Sequence, residues 1–108
     1  MRSSPKDVIK IAEKLAKEFG AEGPSIFFQR KLYRPYIYGR RELYELVNGG
    51  GVISLGFHLL ADEETLKRFT EAIQRSLDGA LIDTETQYEP LDDRIVALRE
   101  VRVKYHVE

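Results

Sequence analysis

The hydrophobic pattern of this chain changes period along its length, and the changes mark its elements. Val8, Ile11, Ala12, Leu15, Ala16 and Phe19 recur at helical spacing and make one apolar stripe. Ser4 suits the N-cap, Pro5 the first helical position, and Asp7 the electropositive first turn, while Gly20 suits a left-handed stop. The spacing predicts a helix over residues 5–19, followed by a loop through Gly23 and Pro24. Residues 25–38 are aromatic, β-branched and basic and read as strand, either broken at Pro35 or folded as a ragged hairpin turning near Arg34 and Pro35. Leu43, Tyr44 and Val47 then predict a short helix over about residues 40–47, stopped by Asn48, Gly49, Gly50 and Gly51.

Residues 52–60 form a compact apolar run with Ile53, Leu55, Phe57 and Leu59, whose length and flanking glycines favour a buried strand. Asp62 is a second N-cap, Glu63 and Glu64 occupy its first turn, and Leu66, Phe69, Ile73 and Leu77 form the stripe of a second helix closed by Gly79. Residues 81–89 and 94–107 alternate as strands around a turn at Pro90, Leu91, Asp92 and Asp93. Short connections on either side of the second helix predict a tight right-handed β-α-β unit over residues 52–89.

The last two strands can be tested against each other, because opposed residues of an antiparallel pair share a face. Pairing sets Ile82, Thr84, Thr86 and Tyr88 with Val101, Val103, Tyr105 and Val107. It leaves Asp83, Glu85 and Gln87 beside Glu100, Arg102, Lys104 and His106 on the other face. Arg99 breaks the pattern by falling on the apolar phase, and a β-bulge near Leu98–Glu100 would restore it. The whole predicts a single α+β domain over residues 1–108. Its form is a two-layer sandwich, a mixed or antiparallel sheet of 4–5 strands with two main helices on one face. A ferredoxin-like arrangement would place residues 94–107, the longest strand, beside residues 52–60.

Composition narrows the function classes. The chain has 108 residues, no cysteine and a net charge of −1, with 32% charged residues. Disulfides and thiolate metal sites are therefore excluded, and a surface built wholly for nucleic acid is disfavoured. The charged surplus is of the kind found in hyperthermophile and designed proteins. No run of eighteen apolar residues or signal-peptide core occurs, so a cytoplasmic location without membrane contact is expected.

The charge is unevenly spread. Residues 23–41 contain no acid, five cations (Arg30, Lys31, Arg34, Arg40, Arg41) and five aromatics (Phe27, Phe28, Tyr33, Tyr36, Tyr38). Cations attract phosphates, guanidiniums can grip them in two-pronged fashion, and flat rings stack on unpaired bases. Arg30, Lys31, Tyr33, Arg34, Tyr36, Tyr38, Arg40 and Arg41 are thus candidate binding residues for single-stranded nucleic acid or another polyanion. A helix opening at Gly39, Arg40 and Arg41 would add a small anion site. The competing reading packs the rings in the core. It pairs the cations, inside the sheet or between copies, with the six carboxylates of residues 78–93, a stretch without a cation.

Other chemistry is sparse. His58 and His106 are too few for a histidine metal site, and His58 in an apolar strand reads as a core or pocket-lining residue. Asp83, Glu85, Asp92 and Asp93 match no calcium-loop spacing, and Ser54 and Ser76 have no base partner. No cofactor or metal is expected. Three readings follow: a non-enzymatic binding module, a self-assembling scaffold whose acidic and basic strands pair between copies, and a small-ligand pocket or enzyme around His58.

Overall fold

The N-caps of both helices and the glycine stop of the first act as the sequence implies, whereas the second helix ends at Ser76 with Leu77 as its cap, before Gly79. The computed structural model describes residues 4–29, 32–47 and 51–107, and the side chains of all of these except 32–36 and 44–47. Ser4 Oγ accepts the Asp7 N–H at 3.2 Å and opens helix α1 (Pro5–Phe19), which Gly20 ends with a φ of 67°. Asp62 Oδ1 accepts the Thr65 N–H at 2.8 Å and opens helix α2 (Glu63–Ser76). That bond, from backbone first, holds the Asp62 carboxyl below its ordinary value.

Six strands accompany the helices: β1 (Glu22–Gln29), β2 (Leu32–Tyr38), β3 (Arg41–Val47), β4 (Gly51–Leu60), β5 (Leu81–Leu91) and β6 (Arg94–Val107). Four of them form an antiparallel sheet of order β1-β4-β6-β5, and β2 and β3 form a separate two-stranded ribbon. The long strand β6 lies beside β4, as expected. Because β4 and β5 each run antiparallel to β6, they run parallel to each other with β6 inserted between them. This strand order is compatible with a ferredoxin-like sheet whose first strand has moved to the end of the chain.

Alternation sorts the faces. Ile53, Leu55, Phe57 and Leu59 of β4 and Val101, Val103, Tyr105 and Val107 of β6 are buried on the inner face. Against them pack Val8, Ala12, Leu15 and Ala16 of α1 and Phe69, Ala72 and Ile73 of α2. The Phe69 ring stands edge-on to Phe57 at 5.1 Å, and the Phe19 ring lies tilted against it at 5.2 Å. This aromatic group joins both helices to the sheet.

Two of the expectations that the structure corrects concern the strands themselves. The first concerns residues 40–47, expected as a short helix. They lie in β3 and its turn: β2 and β3 pair from Leu32↔Val47 to Tyr38↔Arg41 about a two-residue connection, Gly39 and Arg40. Gly39 has a φ of 64°, the positive value that such tight hairpin turns demand. The turn therefore lies at Gly39, not near Arg34 and Pro35. Pro35 is tolerated because β2 has an open edge on its far side.

The second correction concerns Arg99. The pairings of β6 with β4 and β5 run without a shift, so no bulge rescues it. Arg99 instead points inward and is 5% exposed. Its Nε donates to the Ala61 carbonyl at 3.0 Å, and its Nη1 donates to Thr86 Oγ1 at 2.9 Å and meets Glu63 Oε1 at 2.7 Å. One guanidinium thus ties the start of α2 to β5 and β6. The register shift that does occur lies in β1, between Glu22 and Ser25. There Gly23 has a φ of 109°, and a Cβ would stand 2.6 Å from the Gly56 carbonyl oxygen.

Two outcomes follow. Arg99→Met should lower unfolding stability by about 2–3 kcal/mol in denaturant titration, since Ala61 and Thr86 lose a charged donor, with partial recovery in Arg99→Lys. Asp62 carries a pH effect of definite sign: its folded pKa lies below 3.8, so its contribution is complete above that pH and is lost as pH falls through the folded value. Asp62→Asn, which keeps the cap without the charge, should flatten that acid decline in thermal scans.

Candidate functional site: the β2–β3 arm

β1 and β4 pair as far as Gln29↔Val52, and the separate β2–β3 ribbon begins its described pairing at Leu32↔Val47. Beyond β4's pairing with β6, which begins at Gly51↔Val107, the ribbon has no sheet neighbour among the described residues. Residues 37–43, the part of this ribbon whose side chains are described, are all exposed, so its tip stands clear of the core as an arm. The molecule measures 62 × 33 × 18 Å, and its radius of gyration is 17.2 Å. A compact domain of this length would have about 13 Å.

Most of the sequence-derived binding residues fall on or beside this arm. Arg30 and Lys31 lie outside the described residues. Tyr33, Arg34 and Tyr36 occupy β2 positions opposite Leu46, Glu45 and Leu43. Tyr38 is 73% exposed at the tip, directly opposite Arg41, and Arg40 occupies the turn. Both guanidiniums are exposed. Ile37, on the opposite face from Tyr38, is 79% exposed. The tip therefore presents large apolar side chains on both faces together with two cations. The anion site expected at a helix opening with Gly39, Arg40 and Arg41 has no helix N-terminus behind it; the two cations belong to a hairpin turn.

The rings of residues 23–41 divide. Phe28 packs against the core, whereas Phe27 and Tyr38 are exposed. The acidic stretch stands elsewhere, since β5 forms the sheet edge opposite β1. Its carboxylates find a partner in β6. Arg102 Nη2 meets Asp83 Oδ2 at 2.8 Å and Glu85 Oε1 at 3.2 Å, and Arg102 Nε lies 3.8 Å from Glu100 Oε1. Glu85 first, then Asp83 and Glu100, hold the guanidinium's pKa above its ordinary value. The acids Asp83, Glu85 and Glu89 thus lie on β5 of the main sheet, whereas Arg40 and Arg41 lie at the tip of the separate ribbon.

His58 occupies the outer face of β4, where its side chain is half exposed and Nε2 lies 3.9 Å from Glu100 Oε2. It is not the core residue the apolar strand suggested, because it falls on the outward phase of the alternation. No cluster of three metal-ligating side chains occurs among the described residues, and none of their helices is long and apolar enough to cross a membrane. A water-open groove of ≈ 510 Å³ runs between α2 and β5, lined by Thr70, Gln74, Ile82 and Thr84 among others.

An uncovered arm should be separable from the core. Ile37→Asp should leave the thermal midpoint unchanged, whereas Phe69→Ala, which empties a fully buried site, should cost about 3–5 kcal/mol. Circular dichroism melts of the two variants check both. No protein-family model matches the chain, and no curated protein matches its sequence.

Proposed function

We propose that this chain is a non-enzymatic binding module that grips an anionic macromolecular surface with its β2–β3 arm. The observation that carries the reading is the tip itself, where Tyr38, Arg40 and Arg41 stand exposed around the turn of the two-stranded ribbon. Large exposed apolar side chains that add nothing to the core mark contact surfaces. Guanidiniums beside them select for carboxylate or phosphate, and the ring offers a face for stacking.

His58 supports this reading over an enzyme, because it stands on the open sheet face beside Glu100 and does not line the groove at α2. The open face is itself a poor platform for nucleic acid. Arg102 there is engaged by three carboxylates, and Asp83 and Glu85 would repel phosphates. The arm tip instead offers two exposed guanidiniums with a ring beside them.

Titration with a fluorescent single-stranded oligonucleotide and with polyaspartate tests the module. Binding should be saturable and should weaken with salt. For an oligonucleotide, R40A/R41A should reduce the slope of log K against log salt by about 1.4, roughly 0.7 for each phosphate that an arginine no longer neutralises. Binding to neither polyanion, or binding that the double variant leaves untouched, would remove the reading.

A further inference from the structure

The structure has a second projection, at the far end of the sheet from the arm. β4 pairs with β6 from Gly51↔Val107 to Leu60↔Leu98, so the arm leaves at the Gly51 end. The β5–β6 hairpin leaves at the Leu60 end and continues through Pro90↔Ile95 and Leu91↔Arg94 to its turn at Asp92 and Asp93. This hairpin end resembles the arm in form and opposes it in charge. Tyr88 and Ile95 are 71% and 74% exposed, and Leu91 is exposed as well. Residues 88–95 carry Glu89, Asp92 and Asp93 against the single cation Arg94, whereas residues 30–47 carry five cations against Glu42 and Glu45.

We infer that the arm's partner is a second copy of this chain, and that each arm tip docks on the acidic β5–β6 hairpin end of the other copy. The inference rests on the arm being the binding element. Two complementary surfaces, each an exposed ribbon end with apolar side chains, lie at opposite ends of one molecule and cannot meet within it. An antiparallel two-fold pair brings both contacts together at once and closes, leaving neither end free to extend a filament. Nucleic acid on the arm would answer its cations only. Tyr88, Leu91 and Ile95 would stay in water, beside carboxylates that repel a polyanion.

Sedimentation velocity at about 0.01 M and about 1 M salt, where screening lengths are about 30 Å and 3 Å, tests the pair. At low salt the wild type should sediment at twice the 12.5 kDa chain mass, and high salt should raise the dissociation constant by at least about tenfold. R40E/R41E alone and E89K/D93K alone should both be monomeric with unchanged circular dichroism. Mixed in equal amounts they should form a pair, because every contact again joins opposite charges. A wild type that stays monomeric at low salt overturns the second copy as partner. If that monomer binds an oligonucleotide and R40E/R41E abolishes the binding, the arm reading survives and the partner is nucleic acid. A dimer indifferent to R40E/R41E overturns the arm-to-hairpin contact, and the arm reading then stands or falls with the oligonucleotide titration.

Discussion

The unshifted pairing of β4 with β6 is the constraint on which the rest of this structure depends. Ten residue pairs run in one register from Gly51↔Val107 to Leu60↔Leu98. A slip of one residue in β6 against β4 would send Val101, Val103 and Tyr105 to the solvent face and bring Arg102 and Lys104 inside. The register therefore decides which face the helices cover and which charges meet on the other. It also sets where the two projecting ribbons leave the sheet. The chain that leaves β1 and returns to β4 carries the separate β2–β3 arm, and the β5–β6 ribbon passes beyond the end of β4.

Arg99 shows what such a register costs. A bulge would have turned its side chain outward, at the expense of the face assignment of every residue on one side of it. The chain keeps the register and satisfies the buried guanidinium. A backbone carbonyl, a hydroxyl and a carboxylate reach it from three directions. Glu63 is itself largely exposed, so the ion pair retains much of its hydration. Desolvation falls mainly on Arg99, and a delocalised, weakly hydrated cation bears that better than an ammonium would. The same contacts position the start of α2, so a residue that looks like a flaw in the strand pattern acts as a joint between layers.

Elements with a strong period and matching end signals were legible in the sequence. α1 had cap, stripe and stop in agreement, α2 had cap and stripe, β4 stood out as an apolar run, and β5 and β6 had alternation that could be checked strand against strand. The arm was not legible. Arg41–Val47 contains Glu and Leu at spacings that suit a helix, yet the same residues alternate as Glu42, Tyr44, Leu46 against Leu43, Glu45, Val47. Pairing with β2 decides between these periods, and a single segment read alone does not reveal it. Pro35 then drew the expected turn to itself, although Gly39 was the residue able to take a positive φ. The Arg99 site did leave a signal. Thr86, directly opposite on the apolar face, was a polar partner already in place for a cation on that phase.

The candidate site was legible as composition and illegible as geometry, for a physical reason. Cations and rings concentrated in residues 23–41 show that a segment is unusual, but burial is set by the layer that covers it. Phe27 and Phe28 are neighbours of one residue type, and only Phe28 reaches the core, because consecutive strand residues face opposite ways and helices lie on one side. On the arm this asymmetry disappears. With no described layer on either side, Ile37 and Tyr38 are both exposed. A two-stranded ribbon in water is at best marginally stable by itself, so its outward apolar residues make sense only where something covers them. The same logic applies to Tyr88 and Ile95 at the other end. Two ribbon ends with exposed apolar side chains, one acidic and one basic, form a single problem of coverage, and each carries the chemistry that the other lacks.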